Sequence, residues 1–235
     1  MSAEEAADLQ TYIQALALRL DPAWRRRTDD ERRDDGRLFC EATNAAAADG
    51  VRSISYSSVG LEPGVDILFW QMAPSVDALE AAGARLLRTG LGRWLSVEHS
   101  LIGRIGPSQY VRKATEQEQS LFAGERSRYL VVYPFTKSTD WYLLSKESRQ
   151  GIMNEHMRVG HEYPTIRQAL AYSFGLDGQD FVVAYETDDL VAFGDLVRAL
   201  RGTESRRSTV SDTPILLGIQ RPVDEIVALL GGGAR

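Results

Sequence analysis

The chain has a single cysteine, Cys40, in 235 residues, which excludes an intrachain disulfide and any cysteine-rich zinc or iron–sulfur site. A bound metal would therefore have to be held by carboxylates or by one of only three histidines. The chain also lacks an excess of positive charge. The 27 Lys and Arg against 33 Asp and Glu leave a net charge of −6, which argues against nucleic acid as the main partner. No apolar run approaches the roughly 20 residues needed to cross a bilayer. The opening MSAEEAADLQ is acidic, whereas a signal peptide is basic and then apolar. The expectation is a cytoplasmic protein without a membrane span.

What is present is an ordinary globular mixture, 43% hydrophobic and 26% charged, enough for one large domain or two of about 100 residues. RYLVVY, Arg128 to Tyr133, is β-branched and aromatic and reads as a strand. Ser145 opens a helical stretch, SKESRQGIMNEHMRV, that stops at Gly160. TIRQALAYSF then alternates as a strand, with Ile166, Leu170, Tyr172 and Phe174 on one face. A turn from Gly175 to Gly178 leads into the strand DFVVAYE. A helix from about Asp188 carries Leu190, Phe193, Val197 and Leu200 at helical spacing, and PILLGI is the last strand. This order, β-α-β-β-α-β, is the ferredoxin-like plan.

The first half repeats it more faintly. LALRL at Leu16 to Leu20, a charged and then alanine-rich helix to about Asp49, strands VRSISYSSV and DILFWQM, a helix from Ser75 and a strand near LSVEHSLI follow in order. Two copies of one plan indicate internal duplication. The expected fold class is therefore α+β, with ferredoxin-like repeats at 1–110 and 128–235 joined by a polar linker at 111–127. Two such repeats can pack face to face as a duplicated α+β barrel, a dimeric ferredoxin-like fold in one chain. The charged run Arg25 to Arg37 reads as the solvated first turns of a helix.

The three histidines, Gln168 and the stretch YPFTK are the candidates for chemistry. On a helix with Ile152 at zero, His156 lies roughly 40° round and Val159 roughly 20° the other way. His156 thus sits in the apolar stripe, where histidine is more often a hydrogen-bonded core residue than a ligand. His161 falls in a loop after Gly160, and His99 in a strand without a companion; no His-Glu-x-x-His pattern occurs. Alternation places Gln168 on the face of Ile166 and Leu170 and turns Arg167 away. An amide there needs a partner, which can be a core polar group or a ligand. Tyr133 and Lys137, in YPFTK at the end of a strand, could meet a carboxylate substrate, the lysine by charge and the phenol by proton or electron transfer.

These residues resemble the chlorite dismutase family, and within it the coproheme decarboxylases. The likeness is strongest over about residues 128–218, in Tyr-Pro-x-x-Lys, Trp-Tyr-Leu-Leu, Glu-His and Gly-Leu-Asp. It implies that His156 is the proximal iron ligand, fifteen residues after Trp141, and that Trp141 is among the porphyrin-binding residues. It implies that Gln168, seven residues before Gly175, is the distal glutamine of the Gram-positive type of decarboxylase. Chlorite dismutases carry an arginine there. The interval from His156 to Gln168 is twelve residues, about one shorter than the family pattern, so a deletion lies near His161 and Arg167 is the alternative distal residue. Tyr133 corresponds to the tyrosine whose radical oxidises the propionates, and Lys137 to a lysine near a propionate. Arg206 and Arg207 are candidates for neutralising a propionate, and Glu204 for orienting His156.

The activity implied is hydrogen-peroxide-dependent conversion of Fe-coproporphyrin III, which is both substrate and redox centre, to haem b by oxidative decarboxylation of two propionates. The alternatives are chlorite dismutation on a resident haem b and a non-catalytic porphyrin-binding module. The implied partners are coproheme, hydrogen peroxide and further copies of the chain in a homopentamer.

Overall fold

A computed structural model describes residues 11–106, 108, 110 and 124–232. Most of the expected linker, 111–123, lies outside the described residues. The described residues fall into two compact units, one ending at Ile105 and resuming from Leu217, the other running from Gly106 to Leu216.

The first unit contains β1 (Tyr12–Leu20), α1 (Asp29–Ala45), β2 (Arg52–Glu62), β3 (Val65–Ala73), α2 (Val76–Arg88) and β4 (Leu95–Arg104). The strands pair antiparallel in the order β4-β1-β3-β2. A capping box starts α1: Thr28 Oγ1 accepts from the Glu31 amide at 3.3 Å, and the Glu31 carboxylate accepts from the Thr28 amide at 2.9 Å. Ser75 caps α2 in the same way, accepting from the Ala78 amide. Leu16, Leu18, Phe39, Ile67, Phe69 and Leu86 meet as one core cluster, and a fully buried side chain of this size contributes roughly 1.5–3 kcal/mol.

The charged run from Arg25 is not solvated throughout. Trp24 just before it is fully buried. The carboxylate of Asp35 accepts from Trp24 Nε1 at 2.9 Å and lies 3.1 Å from Arg27 Nε, which fastens the start of α1 to the core.

The second unit contains β5 (Tyr129–Lys137), the short α3 (Thr139–Leu143), α4 (Lys146–Gly160), β6 (Arg167–Tyr172), β7 (Phe181–Thr187), α5 (Leu190–Arg201), a 3-10 turn at Glu204–Ser208 and β8 (Thr209–Ser211). Its strands are antiparallel in the order β6-β7-β5-β8. Each unit is therefore a complete ferredoxin-like fold, and the duplication expected from the sequence is present.

The end of the chain is arranged differently from the expectation. The fourth strand of the second unit is the short β8. PILLGI instead supplies β9 (Leu216–Gln220), which pairs with β2 of the first unit through Tyr56↔Gln220 and Ser57↔Ile219. Ser55 Oγ donates to the Arg221 carbonyl at 2.6 Å and Ser58 Oγ to the Leu217 carbonyl at 2.7 Å. Gly218 allows this approach, because a Cβ there would lie 2.6 Å from Tyr56 Cβ. A final helix, α6 (Val223–Leu230), adds Ile226, Val227 and Leu230 to the first unit's core.

Candidate functional site

The register of the second unit sorts the candidate residues by face. Across β5, β7 and β6 the rows are Val131–Tyr185–Gln168, Tyr133–Val183–Leu170 and Phe135–Phe181–Tyr172. Directly opposed residues share a face, so Tyr133, Tyr185 and Gln168 stand together. Ile166, Val183, Tyr185 and Leu196 form a core cluster with Tyr133, Phe135, Phe193 and Leu200, which shows that this face packs on α5.

Arg167 points to the reverse side, as alternation requires. Its Nη2 lies 2.7 Å from Glu186 Oε2 and 3.0 Å from Ser127 Oγ, and its Nη1 donates to the Glu125 carbonyl at 2.6 Å. Arg126 Nη2 holds the other Glu186 oxygen at 2.5 Å, and the carboxylate is 0% exposed. A carboxylate with both oxygens on guanidinium groups in a dry environment fixes Arg167 in place.

His156 comes from α4. Ser145 caps that helix by accepting from the Ser148 amide, and His161 follows as its C-terminal cap. Ile152, Met153, Met157 and Val159 recur at helical spacing, yet no residue of α4 is buried. On the sheet, Leu170 is 37% exposed although it shares a face with core residues, and Phe174 is 49% exposed. Nδ1 of His156 is buried without a hydrogen-bond partner. Burial and, secondarily, the Lys137 charge lower the imidazole from 6.5 to about 4. A neutral imidazole on an apolar helix face left unpacked fits an iron porphyrin, which His156 would hold through a ring nitrogen. Among the described residues no group of three or more His, Cys, Asp or Glu side chains could hold a metal ion.

Lys137 ends β5 at 8% exposure. Its Nζ donates to the Ser205 carbonyl at 2.8 Å and to Ser205 Oγ at 2.9 Å, and lies 4.4 Å from the centre of the Trp141 ring. Burial, with Arg206 adding, lowers its ammonium to about 8. Trp141 is buried on α3, a single turn of helix that Ser138 caps. Burial pushes the Tyr133 phenol well above its ordinary value, with Tyr185 adding to the effect.

The arginines are already paired. Arg206 Nη1 lies 2.5 Å from Asp212 Oδ2. Arg207, its side chain 82% exposed, lies 3.4 Å from Glu204 Oε2. Glu204 therefore faces Arg207 and does not orient His156, whose Nδ1 has no partner.

The structure adds three residues that the sequence reading passed over. Tyr185 was within reach of the alternation argument, since it shares the face of Phe181 and Val183. Asp180 receives the Tyr142 hydroxyl and the Lys137 amide, both at 2.7 Å. Ser205 holds Lys137 from a turn sixty-eight residues away, a separation no local pattern can span. A separate cleft of about 320 Å³ in the first unit, between α2 and β1/β4, is lined mainly by apolar side chains such as Leu16, Leu79 and Val97. Glu80 is its only titratable lining group, so the candidate chemistry stays with the second unit.

Comparison with known proteins gives the family. The family described as chlorite dismutase matches residues 32–221. The chain belongs to the chlorite dismutase family. It is 31% identical over 177 residues to a coproheme decarboxylase of Mycolicibacterium smegmatis, covering 74% of this chain and 75% of that protein. It is 27% identical over 187 residues to a chlorite dismutase of Ideonella dechloratans, covering 76% of this chain and 66% of the other. An arginine-to-alanine mutant of the chlorite dismutase from Candidatus Nitrospira defluvii superposes with a TM-score of 0.87 at 25% identity, covering 97% of this chain and 99% of that one. The same enzyme in complex with imidazole gives 0.85 at 25% identity over the same shares. Members of the chlorite dismutase family are haem oxidoreductases, and the unpacked face around His156 suits that chemistry. No helix among the described residues is long and apolar enough to cross a membrane.

Proposed function

We propose that this family member is a coproheme decarboxylase, converting Fe-coproporphyrin III to haem b. Each propionate consumes one hydrogen peroxide: the carboxyl group leaves as carbon dioxide, the side chain becomes a vinyl group, and the peroxide becomes two waters. The observation that carries this reading is the side chain on the β6 face. Gln168 shares the face of Tyr133, while Arg167 is tied to Glu186 behind the sheet. A neutral amide there can meet uncharged peroxide, whereas a cation would favour an anion such as chlorite.

His156, neutral at physiological pH, would ligate the iron from α4. The bound iron porphyrin supplies the centre at which peroxide is reduced and is itself the molecule oxidised. Gln168, whose amide carries both donors and an acceptor, could donate to or accept from peroxide. Tyr133, held protonated by burial, would give up its phenolic hydrogen atom to the oxidant that peroxide supplies and recover one from the neighbouring propionate, whose remaining electron would pass to the same oxidant as carbon dioxide leaves. Lys137 uses two of its three N–H donors on Ser205, which leaves the third for a carboxylate. The Arg207–Glu204 pair is exposed, and such pairs hold weakly enough to exchange for a propionate. Trp141 covers Lys137 and keeps water from it. The family resemblance also supports assembly as a homopentamer, which light scattering would count.

The test is to load the full chain with ferric coproporphyrin III, titrate it with peroxide and follow the porphyrin mass. Stepwise loss of two carboxyl groups is expected. An unchanged porphyrin in a correctly bound complex, or dioxygen release from added chlorite at the rate of an efficient enzyme, would remove this reading.

A further inference from the structure

Tyr133 does not stand alone. Val131 is opposite Tyr185 and Tyr133 is opposite Val183, so the two tyrosines are diagonal neighbours on β5 and β7. Their rings are 6.2 Å apart at 29°, nearly parallel, which sets the two phenols side by side. On its other side Tyr185 meets the Phe193 ring at 5.3 Å and 55°, and it is packed with Ile166 and Leu196. It is buried, and burial raises its phenol to about 12. Gln168 is opposite it on β6. Tyr185 thus connects the two strands that carry Tyr133 and Gln168.

Packing does not call for the Tyr185 hydroxyl. Phenylalanine would fill the same space among Phe193, Leu196 and Ile166, and a buried hydroxyl costs about 1–3 kcal/mol if left unpaired. The phenol stacked against it is that of Tyr133.

We propose that Tyr185 is a positioning residue for Tyr133, and that a hydrogen atom passes between their hydroxyls so that an oxidising equivalent reaching Tyr133 is shared by the pair. This rests on the role given to Tyr133 above. In the exchange the O–H bond of Tyr185 breaks as that of Tyr133 re-forms. One proton and one electron move together, Tyr133 is reduced from its neutral radical to the phenol, and Tyr185 is oxidised to the neutral radical. The peroxide already consumed is the only oxidant required, and no ionised phenol forms in a place where burial opposes one. The pair holds the equivalent against Phe193 and Leu196 while the propionate comes into reach of Tyr133.

Tyr185→Phe tests the pair without altering its packing. In the full chain without porphyrin, labelled with carbon-13 at the tyrosine ring carbon that bears the hydroxyl, the Tyr133 resonance is assigned by its loss in Tyr133→Phe. It is expected to shift when Tyr185 loses its hydroxyl. In the full chain loaded with ferric coproporphyrin III and freeze-quenched after peroxide, the tyrosyl signal is expected to change line shape and lifetime in Tyr185→Phe, with porphyrin affinity unchanged. A merely structural tyrosine would not move that signal. An unmoved Tyr133 resonance, superimposable radical spectra, or no tyrosyl signal in either protein would each overturn the proposal. The carbon-13 arm needs no porphyrin, so it separates failure of the tyrosine contact from failure of the decarboxylase reading, which the porphyrin mass decides.

Discussion

Acidification should leave iron-porphyrin binding intact far below the point at which an ordinary histidine fails. Burial, and after it the charge of Lys137, holds His156 at about 4 in place of 6.5. A ligand imidazole must be neutral, so any proton on it competes with iron. At pH 5.5 an unperturbed histidine is protonated about ten to one, which weakens binding about tenfold, or about 1.4 kcal/mol. A histidine at about 4 is only about 3% protonated at pH 5.5 and loses almost nothing. Absorbance titrations of the full chain with ferric coproporphyrin III at pH 7.5 and 5.5 should therefore agree within about two-fold. His156→Ala identifies the fraction of binding that runs through the iron. A tenfold loss between those two pH values that disappears in His156→Ala would refute the argument.

The same depressed value has a sign for folding without porphyrin. The unfolded chain takes up the proton first, so stability falls as pH drops from 6.5 toward 4, by at most about 3 kcal/mol, and urea titration over that range would read it. Tyr133→Phe should bind ferric coproporphyrin normally and lose carbon dioxide release by about a hundredfold or more; full turnover would remove Tyr133 from its role and favour a porphyrin-binding module. Gln168→Arg should tighten fluoride on the ferric complex and introduce dioxygen release from chlorite, whereas Arg167→Gln should leave the fluoride affinity unchanged, because Arg167 faces Glu186. Glu186→Gln leaves two guanidinium groups facing each other in the interior and should cost about 3–5 kcal/mol in denaturant unfolding. Gly218→Val puts a side chain where a Cβ would already lie 2.6 Å from Tyr56 Cβ, and a loss of about 1–3 kcal/mol is expected.

Local pattern carried most of the architecture. The β-branched run before Pro134, the Ser145 cap and the period-two alternation around Gln168 each specify an element from a few adjacent residues, and β5, α4 and β6 follow them. Alternation alone also separated Gln168 from Arg167, because neighbours on a strand must face opposite ways. Pairing between distant segments was not legible. PILLGI reads as the last strand of the second repeat, where the local pattern would put it. Its attachment to β2 depends on the contact of Gly218 with Tyr56 and on serine hydroxyls more than a hundred residues away. Lys137 looked like a free cation at a strand end because nothing nearby in sequence announces Ser205. The helix of Trp141 is too short for a period to show, and the exposure of Leu170 on a core-facing strand is a property of packing alone.

The most direct measurement of the central claim uses coproheme labelled with carbon-13 in its propionate carboxyl groups, mixed with the full chain and counted amounts of peroxide. Two labelled carbon dioxides per porphyrin are expected, one for each peroxide, with haem b as the final pigment. Peroxide consumed with the label still on the porphyrin would contradict it.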